Sequence, residues 1–174
     1  MVWKITTEEL LERYAAGERN FAGVDLGGSY SERIRPILSS ADLRGIDLSG
    51  ANLECCIVPY VNFTEARLFG ACLSYSCFNR ANFTRANLCY ATIDWSVGRE
   101  ANFTDANMQG IELSCSNLSR STWYRNNLHS AILIRTNLRD AGGWGGSAGD
   151  LYNAFYWHTI MPDGGFIEGP QRSD

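Results

Sequence analysis

The chain has 174 residues, with 15 Lys and Arg against 19 Asp and Glu for a formal charge of −4. That length is one domain, and a mildly acidic balance lacks the basic footprint of a nucleic-acid binder. No apolar stretch approaches the roughly 20 residues of a membrane span, and the amphipathic N-terminus is no signal peptide, so a cytoplasmic protein without membrane or nucleic-acid partners is expected.

In chain order, the first predicted element is a short helix over 6–16, TTEELLERYAA, with Thr6 and Glu9 as a capping box and Gly17 as its stop. Ile5, Leu10, Leu11 and Tyr14 form its apolar side. Two loosely repetitive blocks follow over 20–28, NFAGVDLGG. Segment 29–38, SYSERIRPIL, breaks their frame and reads as a loop or a bulged coil.

From 41 to 140 the chain is twenty continuous blocks of five, beginning ADLRG, IDLSG, ANLEC. A bulky apolar residue centres nearly every block, as in Leu43, Leu48, Leu53 and Val58, and a mostly small one stands two places earlier, as in Ala41, Ala51 and Ala66. A period of five fits neither the 3.6 of a helix nor the 2 of a strand. It requires a chain that turns after every block, which makes the fold an all-β solenoid. Phe63, Phe83, Phe103 and Trp123 recur at twenty, so four blocks complete a turn and these rings stack as a structural core ladder. With rungs about 4.7–4.9 Å apart, the five turns give a rod of roughly 25 Å. Gly98 leaves one centre empty, to be filled by Phe78 and Leu118, and Asn126 puts an amide in an inward slot where it needs a partner. Beyond the repeats, 142–149 (GGWGGSAG) reads as a flexible insertion and 150–174 as final blocks with a C-terminal cap.

The blocks ADLRG, ANLEC, ANFTR and ANMQG resemble the pentapeptide-repeat family, whose pattern is A-(D/N)-L-X-X. The resemblance implies a right-handed quadrilateral β-helix, and an exposed end of such a helix is a sheet edge that the 6–16 segment would cover as an N-terminal α-helix cap. The GERNFAGVDL segment and TIMPDG tail look like those of cyanobacterial members. Quinolone-resistance members of the family mimic DNA toward gyrase, and a heterocyst-regulating member acts through a transcription regulator. Mimicry needs about one negative charge per 1.7 Å. Residues 41–140 instead carry nine arginines against nine acids, which disfavours a topoisomerase inhibitor.

No catalytic, phosphate-binding or dinucleotide motif appears, so neither an enzyme nor a cofactor is expected. Cys55, Cys56, Cys72, Cys77, Cys89 and Cys115 form no CxxC, and His129 and His158 are the only histidines. These cysteines read as reduced structural thiols, with no metal site and Cys56 in an inward slot. Function must then sit on the outer face. There Glu65, Arg85, Asp105 and Arg125 alternate in sign, and Thr64, Thr84 and Thr104 repeat beside them. Both columns read as devices that hold register.

A different column, Cys55, Tyr75, Trp95 and Cys115, lies beside Ile57, Cys77 and Val97. Together they predict an apolar stripe, with Tyr75, Trp95, Ile57 and Val97 as candidate partner-contact residues. Either an unknown protein partner or the chain's own 29–38 segment or tail covers it. The expected function is a non-enzymatic protein–protein interaction scaffold. The alternative is a structural, self-associating module, a homodimer through Trp144, Phe155, Tyr156, Trp157 and Phe166 at the C-terminal end.

Overall fold

The computed structural model describes residues 3–29, 35–144 and 151–173. The expected loop over 29–38 and the expected insertion over 142–149 therefore lie partly outside the described residues.

Each block ends in a tight turn. At most blocks the N–H of the next block's first residue donates to the carbonyl of the centre, as in Ala51 to Leu48 (3.0 Å) and Ala86 to Phe83 (3.0 Å). The last residue of the block has a positive φ, +64° at Gly50 and +58° at Arg85, as the third position of a type II turn requires. Between turns the backbone is extended for one residue, which bridges in parallel to the residue twenty positions on. Four such ladders run through the repeats, headed by Asp42, Asp47, Asn52 and Ile37. Their arrangement is that of a repeat β-helix.

The interior is set by the centre and inward slots. Phe63, Phe83, Phe103 and Trp123 are fully buried, with successive ring centroids 5.4, 5.2 and 4.6 Å apart. Gly98 leaves room that Phe78 fills, because a Cβ there would collide with the Phe78 ring. Asn126 is 4% exposed, and its amide nitrogen has no partner among the described residues.

At the N-terminal end, β1 (Trp3–Lys4) pairs in parallel with β2 (Val24–Asp25), and α1 spans Thr7–Ala15. The Thr6 side chain accepts from Glu9 N–H at 3.1 Å. Leu10 is buried in the core, whereas Leu11 is exposed, contrary to the expected apolar side. Adjacent helix positions point about 100° apart, so only one of the two can face inward. The 20–28 blocks meet the repeats twenty-seven residues on, through Asn20 to Asp47 and Asp25 to Asn52. By Ile37, which bridges Ile57, the spacing is twenty.

At the other end β3 (Ile132–Ile134) pairs in parallel with β4 (Phe155–Trp157). A hairpin of β5 (Thr159–Ile160) and β6 (Phe166–Ile167) follows, and β7 (Gln171–Arg172) runs antiparallel along β4, occupying the hydrogen-bonding edge that β4 would otherwise expose.

Candidate partner-contact edge

The residues singled out from the sequence meet at the corner between the third and fourth ladders. Cys55, Tyr75, Trp95 and Cys115 occupy successive turns there, each with φ near +60°. This left-handed conformation throws the side chain outward at the corner. Trp95 is 58% exposed and Tyr75 39%, and their rings lie nearly parallel with centroids 6.5 Å apart. Around the corner Val97 is exposed and Ile57 and Cys77 are half-buried. Ile37 heads that column and is itself exposed, so the 36–38 segment lengthens the stripe instead of covering it.

Cys55 differs from its column. It is 1% exposed, flanked by two backbone hydrogen bonds to the preceding chain: Gly28 N–H to Glu54 O (2.8 Å) and Ile57 N–H to Pro36 O (2.7 Å).

Sequence reasoning missed what holds this corner rigid. The inward slots behind it are Cys56, Ser76, Ser96 and Ser116, all buried. Each serine hydroxyl accepts an N–H from the coil before it: Cys56 to Ser76 (2.9 Å), Ser76 to Ser96 (3.1 Å), Ser96 to Ser116 (3.1 Å). The hydroxyls also donate backward, Ser76 to Leu53 O and Ser96 to Leu73 O, both at 2.8 Å, and Ser116 to Ile93 O. Buried hydroxyls thus stitch successive turns together beneath the aromatic pair. The run of Ser76, Ser96 and Ser116 at a spacing of twenty, where other corners carry Ala, was the available signal.

The two sides of the corner carry opposite charge. Before it lie Glu54, Asp94 and Glu112; after it lie Arg80, Arg99, Arg120 and Arg139, with Glu100 and Asp140. Arg80 pairs with Glu100 (2.8 Å) and Arg120 with Asp140 (3.8 Å). Arg99, Asp94 and Glu112 form no ion pair among the described residues. Asp94 is half-buried and accepts from Ser114 N–H at 2.6 Å. Burial raises its pKa above the usual carboxylate value, more than the Ser114 bond lowers it.

The two columns read as register devices contain real contacts. Arg85 meets Glu65 at 2.9 Å and Arg125 meets Asp105 at 2.6 Å. Beside them runs a relay: Thr84 donates to Asn82 (2.6 Å), Asn82 donates to Thr64 (3.0 Å), and Thr64 donates to Asn62 (2.6 Å). No disulfide joins the cysteines among the described residues, and burial pushes the Cys56 thiol up to about 12.

Of the C-terminal aromatics, Tyr156 is buried, Trp144 packs edge-on against Trp123 at 5.3 Å, and Arg172 lies 5.4 Å over Phe155. Trp157 and Phe166 are exposed. No helix among the described residues is long and apolar enough to cross a membrane.

A family model for pentapeptide repeats, in eight copies, matches overlapping stretches across residues 38–141. The chain belongs to the pentapeptide-repeat family. Among solved structures it is similar to HetL, a pentapeptide repeat protein involved in heterocyst differentiation regulation from the cyanobacterium Nostoc sp. strain PCC 7120. The identity is 21%, covering 93% of this chain and 99% of that one, with a TM-score of 0.41. Trypsin-treated QnrB1, a plasmid-mediated fluoroquinolone resistance protein, is 19% identical over 97% of this chain and 88% of its own, with a TM-score of 0.46. The pentapeptide repeat protein alr5209 from Nostoc PCC 7120 is 30% identical over 68% of this chain and 83% of its own, at a TM-score of 0.25. No curated protein matches the sequence.

Proposed function

We propose that this pentapeptide repeat protein is a non-enzymatic protein–protein interaction scaffold whose contact edge is formed by Tyr75, Trp95, Ile57 and Val97. The observation that carries this reading is the stacked, exposed Tyr75–Trp95 pair on a corner held by the buried serine hydroxyls. Exposed aromatics on a rigid frame lose little conformational freedom on binding, which is why such residues dominate interface energetics.

The frame is a right-handed quadrilateral β-helix with α1 as the lid of its first coil. Burial of Leu10 and the 2.8 Å hydrogen bond from the Tyr14 hydroxyl to Arg44 O support the lid. The non-enzymatic reading is supported by the packed interior and by a C-terminal cavity of about 530 Å³ lined by Trp144, Met161 and Phe166. Among the described residues its one titratable lining group is Asp163, which accepts from Gly165 N–H with no second acid or base in the lining. Cysteines that form no disulfide among the described residues fit a reducing compartment such as the cytoplasm. A neutral repeat region supports neither nucleic-acid binding nor DNA mimicry.

The test is capture from native lysate with wild type and the Tyr75→Ala/Trp95→Ala variant. A partner held by wild type and lost by the folded variant supports the reading; equal retention by both moves the site elsewhere.

A further inference from the structure

We infer that the Tyr75–Trp95 edge pairs with a second copy of this chain, the two lying side by side and parallel about a two-fold axis that runs along the ladders. The inference rests on the contact edge proposed above and adds its occupant. It follows from how charge is distributed across the corner.

Asp94 and Arg99 belong to the same coil and stand on opposite sides of Trp95, Asp94 immediately before it and Arg99 one block after Asp94. Arg99 is exposed, Asp94 half-buried, and neither has an ion-pair partner among the described residues. Glu54 and Glu112 repeat the acidic side one coil or more above and below. The edge is therefore acidic on one flank, apolar at its crest and basic on the other.

A two-fold axis parallel to the ladders brings crest to crest at equal height and exchanges the flanks. Trp95 meets its counterpart, Asp94 faces Arg99 of the other copy, and the same contact is made twice, as an isologous interface demands. An axis perpendicular to the ladders would set acidic flank against acidic flank, and like charges across an interface are penalised. The repeat region as a whole opposes no such approach, since its nine arginines balance its nine acids and near-zero net charge favours association. End-to-end pairing through β4 has less to gain, because β7 already occupies that edge.

A corner contact is small, so the pair is expected to be of micromolar strength, as interfaces below roughly 1,200 Å² generally are. Sedimentation at about 100 µM should then give twice the 19.4 kDa chain mass for wild type. Trp95→Arg and Arg99→Glu should each be monomeric while retaining the wild-type circular dichroism. Mixing Arg99→Glu with Asp94→Lys should restore a dimer, because each flank again meets its opposite. If Asp94→Lys fails to fold, mild oxidation supplies the second readout. In the parallel pair Cys115 cross-links to Cys115 of the other copy, and in a Tyr75→Cys variant the new thiol cross-links to its own counterpart. A cross-link from position 75 to Cys115 means an antiparallel pair and overturns the inference. So does a wild type that stays monomeric, or a dimer that survives Trp95→Arg. A monomer that still holds a lysate protein through Trp95 removes only the self-pairing; a monomer that holds none removes the contact edge as well.

Discussion

The ring of Phe78 occupies the space that a side chain at residue 98 would need: a Cβ on Gly98 would fall 1.9 Å from Phe78 Cε2. Phe78 in turn meets Phe83 and Phe103 edge-on, at 5.7 and 6.4 Å. One centre slot is thus surrendered to a residue from the coil before. Gly98→Ala is expected to destabilise by about 1–3 kcal/mol through overpacking. Urea denaturation should show part of that loss recovered when Phe78→Leu is added, since residues in contact couple.

Ser96 is the middle of the buried hydroxyl ladder, accepting from Ser76 N–H and donating to Leu73 O. Ser96→Ala leaves one buried donor and one bond short. The expected cost is about 1–3 kcal/mol, read as a lower urea midpoint with an unchanged slope. Equal stability of the variant would mean that the hydroxyls contribute nothing to the corner.

The two outer columns are expected to differ in weight. Arg85 and Glu65 are both well exposed, so Arg85→Ala should change stability by less than about 1 kcal/mol. Asn82 is half-buried, accepts from the N–H and hydroxyl of Thr84 and donates to Thr64. Asn82→Ala should cost more than Arg85→Ala, roughly 1–3 kcal/mol. Parallel melts of the two variants check the order.

Burial pushes the Cys56 thiol from 9.0 up to about 12. The fold therefore holds that proton more tightly than the unfolded chain does. Its contribution to stability is complete below about pH 9 and is lost as the pH rises toward 12. Tyr156, also pushed up to about 12 by burial, acts in the same direction. Denaturation midpoints should fall through that window, and Cys56→Ala should make the fall shallower without abolishing it. In the native protein Cys72, Cys77 and Cys115, all half-buried, should react with a thiol reagent before Cys56 does.

The repeat itself was legible because inside and outside alternate on a fixed count. Leu, Phe and Ala fall where the chain faces inward, and the ring ladder from Phe63 to Trp123 shows the spacing of one turn. The conformation of the corners was not legible. Tyr75, Arg85 and Trp95 adopt positive φ as Gly50 and Gly70 do, so no glycine signature marks the position. The twenty-seven-residue spacing at Asn20 and the twenty-three-residue spacing from Ile132 to Phe155 were also hidden, since the intervening segments carry no repeat. The candidate stripe was found by stacking identical slots. That logic fails at an end, where Cys55 shares a slot with Trp95 yet is 1% exposed, its neighbours Glu54 and Ile57 bonded to Gly28 and Pro36.

The uniform spacing of the ladders has a consequence for chain length. Excising residues 82–101 would join Ala81 to Asn102, which stands in the slot of Asn82, and would bring Asn62 onto Asn102 with each later partner still in step. Excising five residues upstream would instead rotate everything downstream by a quarter turn and set Cys89 and Gln109 where Thr84 and Thr104 belong. The protein can therefore be shortened or lengthened only in whole coils. The height at which Trp95 is presented is a counted quantity, fixed by how many coils separate it from either end.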